Sequence, residues 1–269
     1  MPTVQTNGIT IAYEQQGSGP DLVFITGVGY GGWFWHKVVP GLAKHFTVTT
    51  FDNRGAGGSS QPTGPYTVEI LAADTAGLMD ALGIQNAAVM GHSLGGYILQ
   101  QLVAIRPELV GKVILASTNF GGMKVIPITP EALNVLTNRI GDPLDLIRRG
   151  IGIAAAPGFL ENHPEVVQEL IDYRLSNPVP PTQYTAQVMA GAGTAQWSDG
   201  RIDKQMSAIQ VPCLILFGEY DRVVPTGNAQ LMAAKIPQAQ IKTLPNVGHI
   251  FPIEDPQATT NTLIQFIQD

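Results

Sequence analysis

Ser93 is the residue whose surroundings most clearly predict chemistry. The segment GHSLGG at 91–96 fits the pattern G-x-S-x-G, with a predicted strand at 87–90 before it and a predicted helix at 94–105 after it. A sharp strand-to-helix turn strains the serine backbone, and small neighbours let the two elements pass closely. The serine oxygen then lies at a helix N-terminus, where backbone amides favour developing negative charge. This context predicts a nucleophile, although 30 glycines make the bare pattern weak.

A serine needs a base to remove its proton, and five histidines are available. His249 ends the tight loop 246–249 directly after the last predicted strand, so it reaches the sheet edge that carries Ser93. His92 is adjacent to the serine, and its side chain must point elsewhere. The other three are expected at the surface or as capping residues: His36, His45 and His163. We therefore predict His249 as the general base.

The carboxylate that orients this base should also follow a strand on the same edge. The predicted strand 211–217 ends in the segment GEYDRVVP, which makes Asp221 the best candidate and Glu219 the fallback. The other suitable position, after the predicted strand 113–116, offers no acid. The chain order serine, aspartate, histidine differs from the two well-known serine-protease orders.

The elements that position these residues alternate between strand and helix. This rhythm predicts an α/β fold with a mostly parallel sheet of about eight strands, helices on both faces and an antiparallel hairpin at Asn7-Gly8. Between 121 and 206 the alternation lapses into helical patches broken by prolines. We expect a core domain from 1–120 and 207–269, with a helical cap (lid) at 121–206 over the carboxyl ends of the strands.

Composition narrows the function classes. Hydrophobic residues make up 44% and charged residues 13%, which is typical of a folded globular core. A net charge of −6 without a basic run argues against nucleic-acid or membrane partners. The N-terminal residues lack a signal-peptide pattern, and the single cysteine, Cys213, lies in an apolar strand-like run suited to packing. We expect a cytoplasmic protein with a small-molecule substrate, no cofactor and no metal, and make no prediction of its oligomeric state.

Residues 22–120 and 208–268 resemble the α/β-hydrolase superfamily, particularly its small cofactor-free esterases, enol-lactonases and perhydrolases. The turn DNRGAGGS at 52–59 is similar to the group's D-x-R-G-x-G-x-S turn, and GHIFPIEDP at 248–256 to its histidine loop. The resemblance implies a structural role for Glu254. It also implies an oxyanion hole made by the backbone N–H groups of Val28 and Leu94. Thr26 stands where the family usually has histidine, so the hydrogen bonds that anchor this loop must differ.

A different class remains open, because Gly27, Gly29 and Gly32 also spell G-x-G-x-x-G between a strand and a helix. Asp52 follows the next strand, where a ribose-binding acid would lie in an NAD-dependent oxidoreductase. Residues 33–45 are predicted as one helix, and Pro40 disturbs this helix, which pyrophosphate would need. The hydrolase interpretation already explains Asp52. A dinucleotide-binding fold would also give no reason for the matched positions of Ser93, Asp221 and His249, so we rank the oxidoreductase below the hydrolase.

The predicted function is hydrolysis of a carboxylic ester or lactone with a small to medium, mainly apolar acyl group through an acyl-enzyme. Perhydrolase or C–C bond hydrolase chemistry on the same triad, and a ligand-sensing receptor that keeps the triad, are the alternatives. No basic residue obviously belongs to the site, though Arg54 and Lys124 could approach it. The expected apolar walls of the pocket are Tyr30, Trp35, Phe120, Met123, Met189, Trp197 and Phe251.

Overall fold

Eight strands form one sheet at the centre of the protein, which a computed structural model describes over residues 1–269. The spatial order is β1-β2-β4-β3-β5-β6-β7-β8. The β1–β2 and β2–β4 pairs are antiparallel, and all other neighbours are parallel, which confirms the predicted sheet. The strands are β1 (Thr3–Thr6), β2 (Ile9–Gln16), β3 (Asp21–Ile25), β4 (Thr47–Phe51), β5 (Ala87–His92), β6 (Val110–Ala116), β7 (Cys213–Gly218) and β8 (Ala239–Leu244).

Apolar residues on both faces of the strands build two cores. In β3, Val23 and Ile25 join one buried cluster of 35 residues, whereas Leu22 and Phe24 join a second cluster of 33 residues on the opposite face. Successive side chains alternate between the faces, so a continuous apolar run is what a doubly covered parallel strand requires. The cysteine of β7 lies in the first cluster and is fully buried, and burial raises the pKa of Cys213 to about 12.

Helices cover both faces of this sheet. The segment 33–45, predicted as one helix, instead forms a 3₁₀ helix (Gly32–Trp35) and the separate short helix α1 (Val39–Leu42). Pro40 lies in the first turn of α1, where a missing amide costs no helical hydrogen bond. The other helices outside the 121–206 segment are α2 (Val68–Ala81), α3 (Leu94–Ile105), α10 (Asn228–Ala233), α11 (Phe251–Glu254) and α12 (Pro256–Gln268), with a 3₁₀ helix at Pro107–Leu109.

Six helices follow one another between β6 and β7. Four of them overlap helical patches expected from the sequence, whereas the four-residue α6 and the mostly polar α9 were not expected. They are α4 (Pro130–Thr137), α5 (Pro143–Ala154), α6 (Phe159–Asn162), α7 (Pro164–Ser176), α8 (Pro181–Gly193) and α9 (Asp199–Ser207), with a 3₁₀ helix at Thr194–Gln196. None of the protein's helices combines the length and apolar character needed to cross a membrane.

Candidate active site

Ser93 lies between the end of β5 and the start of α3, in a strained conformation with φ 56° and ψ −118°. This region of φ disfavours residues with a side chain and persists only where the surroundings enforce it. The close approach of the helix depends on its glycines. A Cβ atom on Gly95 would lie 2.2 Å from the carbonyl oxygen of Ile25 in β3, and one on Gly91 would lie 2.2 Å from the carbonyl oxygen of Gly95.

His249 and Asp221 form a buried hydrogen-bonded pair at the same edge of the sheet. His249 Nδ1 lies 2.9 Å from Oδ2 and 3.0 Å from Oδ1 of Asp221, whose side chain is fully buried. Because an ionised carboxylate only accepts, Nδ1 carries the proton and Nε2 is left with a free lone pair. The amides of Val223 and Val224 also donate to Asp221 Oδ1, at 2.9 and 2.8 Å, and hold the carboxylate in place.

The other acids of the predicted motifs serve the backbone. Glu219, the fallback, is exposed and accepts the amide of Asn246 at 3.0 Å. Glu254 accepts the amides of Ala156 and Gly248, at 2.7 and 2.9 Å, and its burial raises its pKa to about 7. This contact fixes the backbone beside His249 without reaching its imidazole.

Asp52 divides its two carboxylate oxygens between two backbone amides. Oδ1 accepts from Gly32 N at 2.7 Å, and Oδ2 from Gly58 N at 2.8 Å. Burial raises the pKa of this carboxyl group, and the two donated hydrogen bonds act against that rise. The dinucleotide interpretation therefore loses its ribose-binding acid, because Asp52 holds a turn to the loop after β3.

His92 forms a hydrogen bond with the loop that carries His249. Its Nε2 lies 2.8 Å from the carbonyl oxygen of His249, and a carbonyl only accepts, so this nitrogen carries the proton. Burial, reinforced by the nearby His249, lowers the pKa of His92 to about 3. A neutral imidazole therefore positions the loop and leaves Nδ1 buried without a partner.

Two backbone amides beside Ser93 are free to receive a ligand oxygen. Neither Val28 N–H nor Leu94 N–H donates to another group of the protein. Both residues line one cavity together with Ser93. Preorganised amides of this kind stabilise an oxygen that gains negative charge.

The loop that carries Val28 is anchored by hydrogen bonds of Thr26 and Asn53. Thr26 Oγ1 donates to the carbonyl oxygen of Tyr30 at 3.3 Å, and Asn53 Nδ2 donates to the carbonyl oxygen of Thr26 at 3.2 Å. Two side chains from the 121–206 segment hold Gly29. Gln187 Oε1 accepts its amide at 2.8 Å, and Arg174 Nη1 donates to its carbonyl oxygen at 2.6 Å.

Two cavities meet at Ser93. The small cavity, of about 80 Å³, contains Ser93 and His249 in its lining. The large cavity, of about 480 Å³, shares Ser93 and Val28 with the small one but lacks His249. No hydrogen bond joins Ser93 Oγ to the imidazole, and in free enzymes catalytic hydrogen bonds are often long and tighten when substrate binds.

Few of the expected pocket walls line these cavities. Tyr30 lines the small cavity and Met123 the large one. The expectation was wrong for three aromatic residues, which are 2% exposed or less and belong to the two cores: Trp35, Phe120 and Phe251. It was also wrong for Met189 and Trp197, which line a separate depression beside α2. An aromatic residue near a motif packs into the core as readily as into a pocket.

The sequence interpretation also missed the charges of the site. Arg139 and Arg174 line the small cavity together with Tyr184. The two basic residues considered from the sequence are paired elsewhere, Arg54 with the buried Asp74 at 2.5 Å and Lys124 with the exposed Asp199 at 2.6 Å.

One sequence signal could have identified the inward face of α8. Gln183, Tyr184 and Gln187 are all buried, and the two glutamines are four residues apart on one side of the helix. Polar side chains at helical spacing on a buried face indicate specific hydrogen bonds. No other motif marks this segment. No group of three or more His, Cys, Asp or Glu side chains lies close enough together to hold a metal ion.

Comparison with known proteins identifies the fold family along nearly the whole chain. A family model described as the alpha/beta hydrolase fold matches residues 20–256. A poly(3-hydroxyalkanoate) depolymerase of Ectopseudomonas oleovorans is 30% identical over 251 residues, covering 92% of this chain and 84% of the depolymerase. The crystal structure of the enol-lactonase from Burkholderia xenovorans LB400 matches with a TM-score of 0.82 and 27% identity over 100% of both chains. A thermophilic esterase from Thermogutta terrifontis matches with a TM-score of 0.81 and 28% identity, covering 99% of this chain and 96% of the esterase.

Proposed function

Because this chain belongs to the α/β-hydrolase fold family, we propose that it is a serine hydrolase that cleaves a carboxylic ester or lactone through an acyl-enzyme. Ser93 is the nucleophile, His249 the general base and Asp221 the residue that orients the base. The observation that carries this proposal is the buried His249–Asp221 pair, which leaves Nε2 free in a cavity shared with Ser93.

In the first half of the reaction, His249 Nε2 accepts the Ser93 proton while Oγ attacks the substrate carbonyl carbon. The resulting oxyanion accepts hydrogen bonds from the Val28 and Leu94 amides, and each such donor typically contributes about 3 kcal/mol to transition-state stabilisation. The imidazolium then protonates the leaving oxygen, and the bond between this oxygen and the carbonyl carbon breaks. In a lactone, the leaving hydroxyl stays attached to the acyl group.

In the second half, water replaces the leaving group. His249 takes one proton from the water, whose oxygen attacks the acyl carbon, and then returns a proton to Ser93 Oγ as the acid is released. Asp221 keeps its carboxylate throughout, because its role is to fix the imidazole tautomer and to stabilise the imidazolium.

The proposal extends to the segment 121–206, which acts as a cap that shapes the substrate space. Leu136 in α4 lines both cavities, and Gln187 in α8 binds the loop of the oxyanion donor. The ester and lactone substrate class is supported by the enol-lactonase and the esterase, which are similar along nearly the whole chain.

The test is turnover of p-nitrophenyl acetate by the wild type, Ser93→Ala and His249→Ala, with Ser176→Ala as the control because Ser176 is exposed at the end of α7. We expect losses of about 10⁴-fold or more in kcat for the two triad variants and an unchanged rate for the control. Mass spectrometry of the wild type, quenched during turnover, should find the acetyl group on the peptide that contains Ser93.

A Ser93→Ala variant that keeps wild-type turnover would refute the nucleophile assignment. An acetyl group found on another residue would do the same. A wild type that releases only one equivalent of p-nitrophenol would instead indicate a receptor that is acylated once.

A further inference from the structure

The small cavity beside Ser93 contains two positive charges without a negative one. Arg139 follows α4 and Arg174 lies in α7, and no aspartate or glutamate takes part in the lining. The arginines that pair with carboxylates are others, namely Arg54, Arg106 and Arg201. Both cavity arginines are only partly exposed. Two partly buried guanidinium groups without an acid are costly in a free protein, and an anionic ligand would offset that cost.

Both guanidinium groups are held against aromatic faces. The Arg174 guanidinium carbon lies 4.6 Å from the centre of the Tyr30 ring, and that of Arg139 lies 4.4 Å from the centre of the Tyr184 ring. Both charges also act on the same hydroxyl group, since they oppose the burial that raises the pKa of Tyr184. Stacking of this kind restricts a long side chain before the ligand arrives, which reduces the entropy lost on binding.

Arg174 has N–H donors that no other group of the protein uses. Its Nη1 donates to the carbonyl oxygen of Gly29 at 2.6 Å, which uses one of the five N–H groups of a guanidinium. Arg139 makes no side-chain hydrogen bond within the protein, so all five of its donors remain available. A carboxylate matches such groups because its two oxygens accept parallel hydrogen bonds from one guanidinium.

The size of the small cavity limits what it takes. At about 80 Å³ it admits only a short group, whereas the large cavity of about 480 Å³ receives the bulk of a substrate whose carbonyl lies at Ser93. Apart from Ser93, His92 and His249, most of the remaining wall is apolar, including Leu146, Ile147 and Ile151 of α5. Apolar surroundings exclude water and strengthen an ion pair.

We propose that Arg139 and Arg174 form a carboxylate-binding subsite in the small cavity, so that the preferred substrate is an ester or lactone with a carboxylate on a short arm near the scissile bond. This inference rests on the proposed function and refines its substrate class. It replaces the expectation of a mainly apolar substrate.

The test compares esters that differ only in charge. Monomethyl succinate and methyl succinamate place a carboxylate or its neutral carbamoyl analogue on the acyl side, and acetoxyacetate and acetoxyacetamide place them on the alcohol side. The value measured is the ratio of kcat/KM within each pair at neutral pH, in the wild type, Arg139→Gln and Arg174→Gln. Arg148→Gln is the control, because Arg148 is exposed on α5 and lies outside the lining.

We expect the wild type to prefer the carboxylate in at least one pair by about tenfold or more, as a charge-assisted contact predicts. Each cavity variant should lower that ratio by about tenfold, and the control should leave it within about twofold. A ratio at or below one in both pairs would overturn the proposal, as would equal ratios in the cavity variants and the control. Because a ratio cancels general losses of turnover, damage to the loop at Gly29 does not imitate the expected result.

Binding separates this proposal from the function on which it rests. Calorimetric titration of the same variants with succinate and succinamide should show saturable binding of succinate to the wild type, weakened about tenfold in Arg139→Gln. Turnover of the neutral esters without a preference for the carboxylate would contradict the subsite and leave the proposal of a serine hydrolase unaffected. Selective succinate binding by a protein that cleaves none of the esters would contradict the hydrolase and support the subsite. Equal binding of succinate and succinamide would overturn the subsite.

Discussion

Gln187 connects the 121–206 segment to the loop of the proposed oxyanion donor Val28, and its replacement tests whether catalysis depends on this connection. The side chain is 1% exposed and uses both ends of its amide. Oε1 accepts from Gly29 N at 2.8 Å, and Nε2 donates to the carbonyl oxygen of Arg54 at 3.1 Å. Gln187→Ala would leave a buried donor and a buried acceptor without partners.

Both stability and turnover should change. Each buried polar group left unpaired costs about 1–3 kcal/mol, so with two such groups we expect the free energy of unfolding to fall by about 2–6 kcal/mol. Gly29 follows the proposed donor Val28 directly, so a loosened loop misplaces one of two oxyanion hydrogen bonds. Complete loss of such a donor costs about 10²–10³ in kcat, and misplacement should therefore cost about ten- to a hundredfold.

Two further variants separate positioning from general damage. Gln187→Glu keeps an acceptor for Gly29 but cannot donate to Arg54, so its loss of kcat should be smaller than that of the alanine variant. Gln205→Ala removes an equally buried glutamine of α9, which donates to Gln101 at 2.7 Å far along the chain from the loop. It should lower stability and leave kcat on p-nitrophenyl acetate unchanged.

Urea unfolding and steady-state kinetics supply the two measurements. An alanine variant of Gln187 that is destabilised yet keeps its kcat within about twofold would refute the reasoning. The bonds of Thr26, Asn53 and Arg174 would then be enough to hold the loop that carries Val28.

Two other predictions concern the packing under the site. Gly95→Ala places a Cβ 2.2 Å from the carbonyl oxygen of Ile25, so α3 must move and the free energy of unfolding should fall by about 3 kcal/mol. The control is Gly200→Ala, whose Cβ meets nothing within 4 Å and whose stability should be unchanged. Equal urea midpoints for the two variants would contradict this prediction. Burial raises the pKa of Glu254 from 4.5 to about 7, so the folded protein binds the extra proton in this window and its stability falls as pH rises through it. Relative to Glu254→Gln, the wild type should lose about 2–3 kcal/mol between pH 5 and pH 8, and a difference that does not vary with pH would exclude this contribution.

The family and the architecture could be predicted from the sequence, and the family match confirms both. The predicted bounds of α3 agree with the structure to the residue, because a glycine motif marks its start and Pro107 follows its end. The helix predicted over 33–45 was wrong in its continuity, since Pro40 was treated as an irregularity inside one helix when it begins a separate one.

The lining of the site was harder to predict, because residue type does not give direction. Trp35 and Phe251 are as aromatic as Tyr30 and lie as near to the motifs in sequence, yet both point into a core. The two arginines follow no motif, and only the folding of the 121–206 segment brings both into the lining of one cavity. Contacts between segments of such different positions in the chain are set by tertiary packing, which a single sequence does not encode in any local pattern.

Gly29 connects the proposed carboxylate subsite to the proposed oxyanion donor. Three side chains of the 121–206 segment meet it: Gln187 at its amide, Arg174 at its carbonyl oxygen and Tyr184 against its Cα, where an added Cβ would lie 2.8 Å from the ring. The helices that carry the proposed carboxylate subsite therefore also hold the amide of Val28 in place. We expect a substrate that draws Arg174 toward its carboxylate to disturb the hydrogen bond to Gly29, the residue after the proposed oxyanion donor. Arg139 has no such bond to the loop, so we expect Arg139 to contribute to binding alone and Arg174 to contribute to both binding and the transition state.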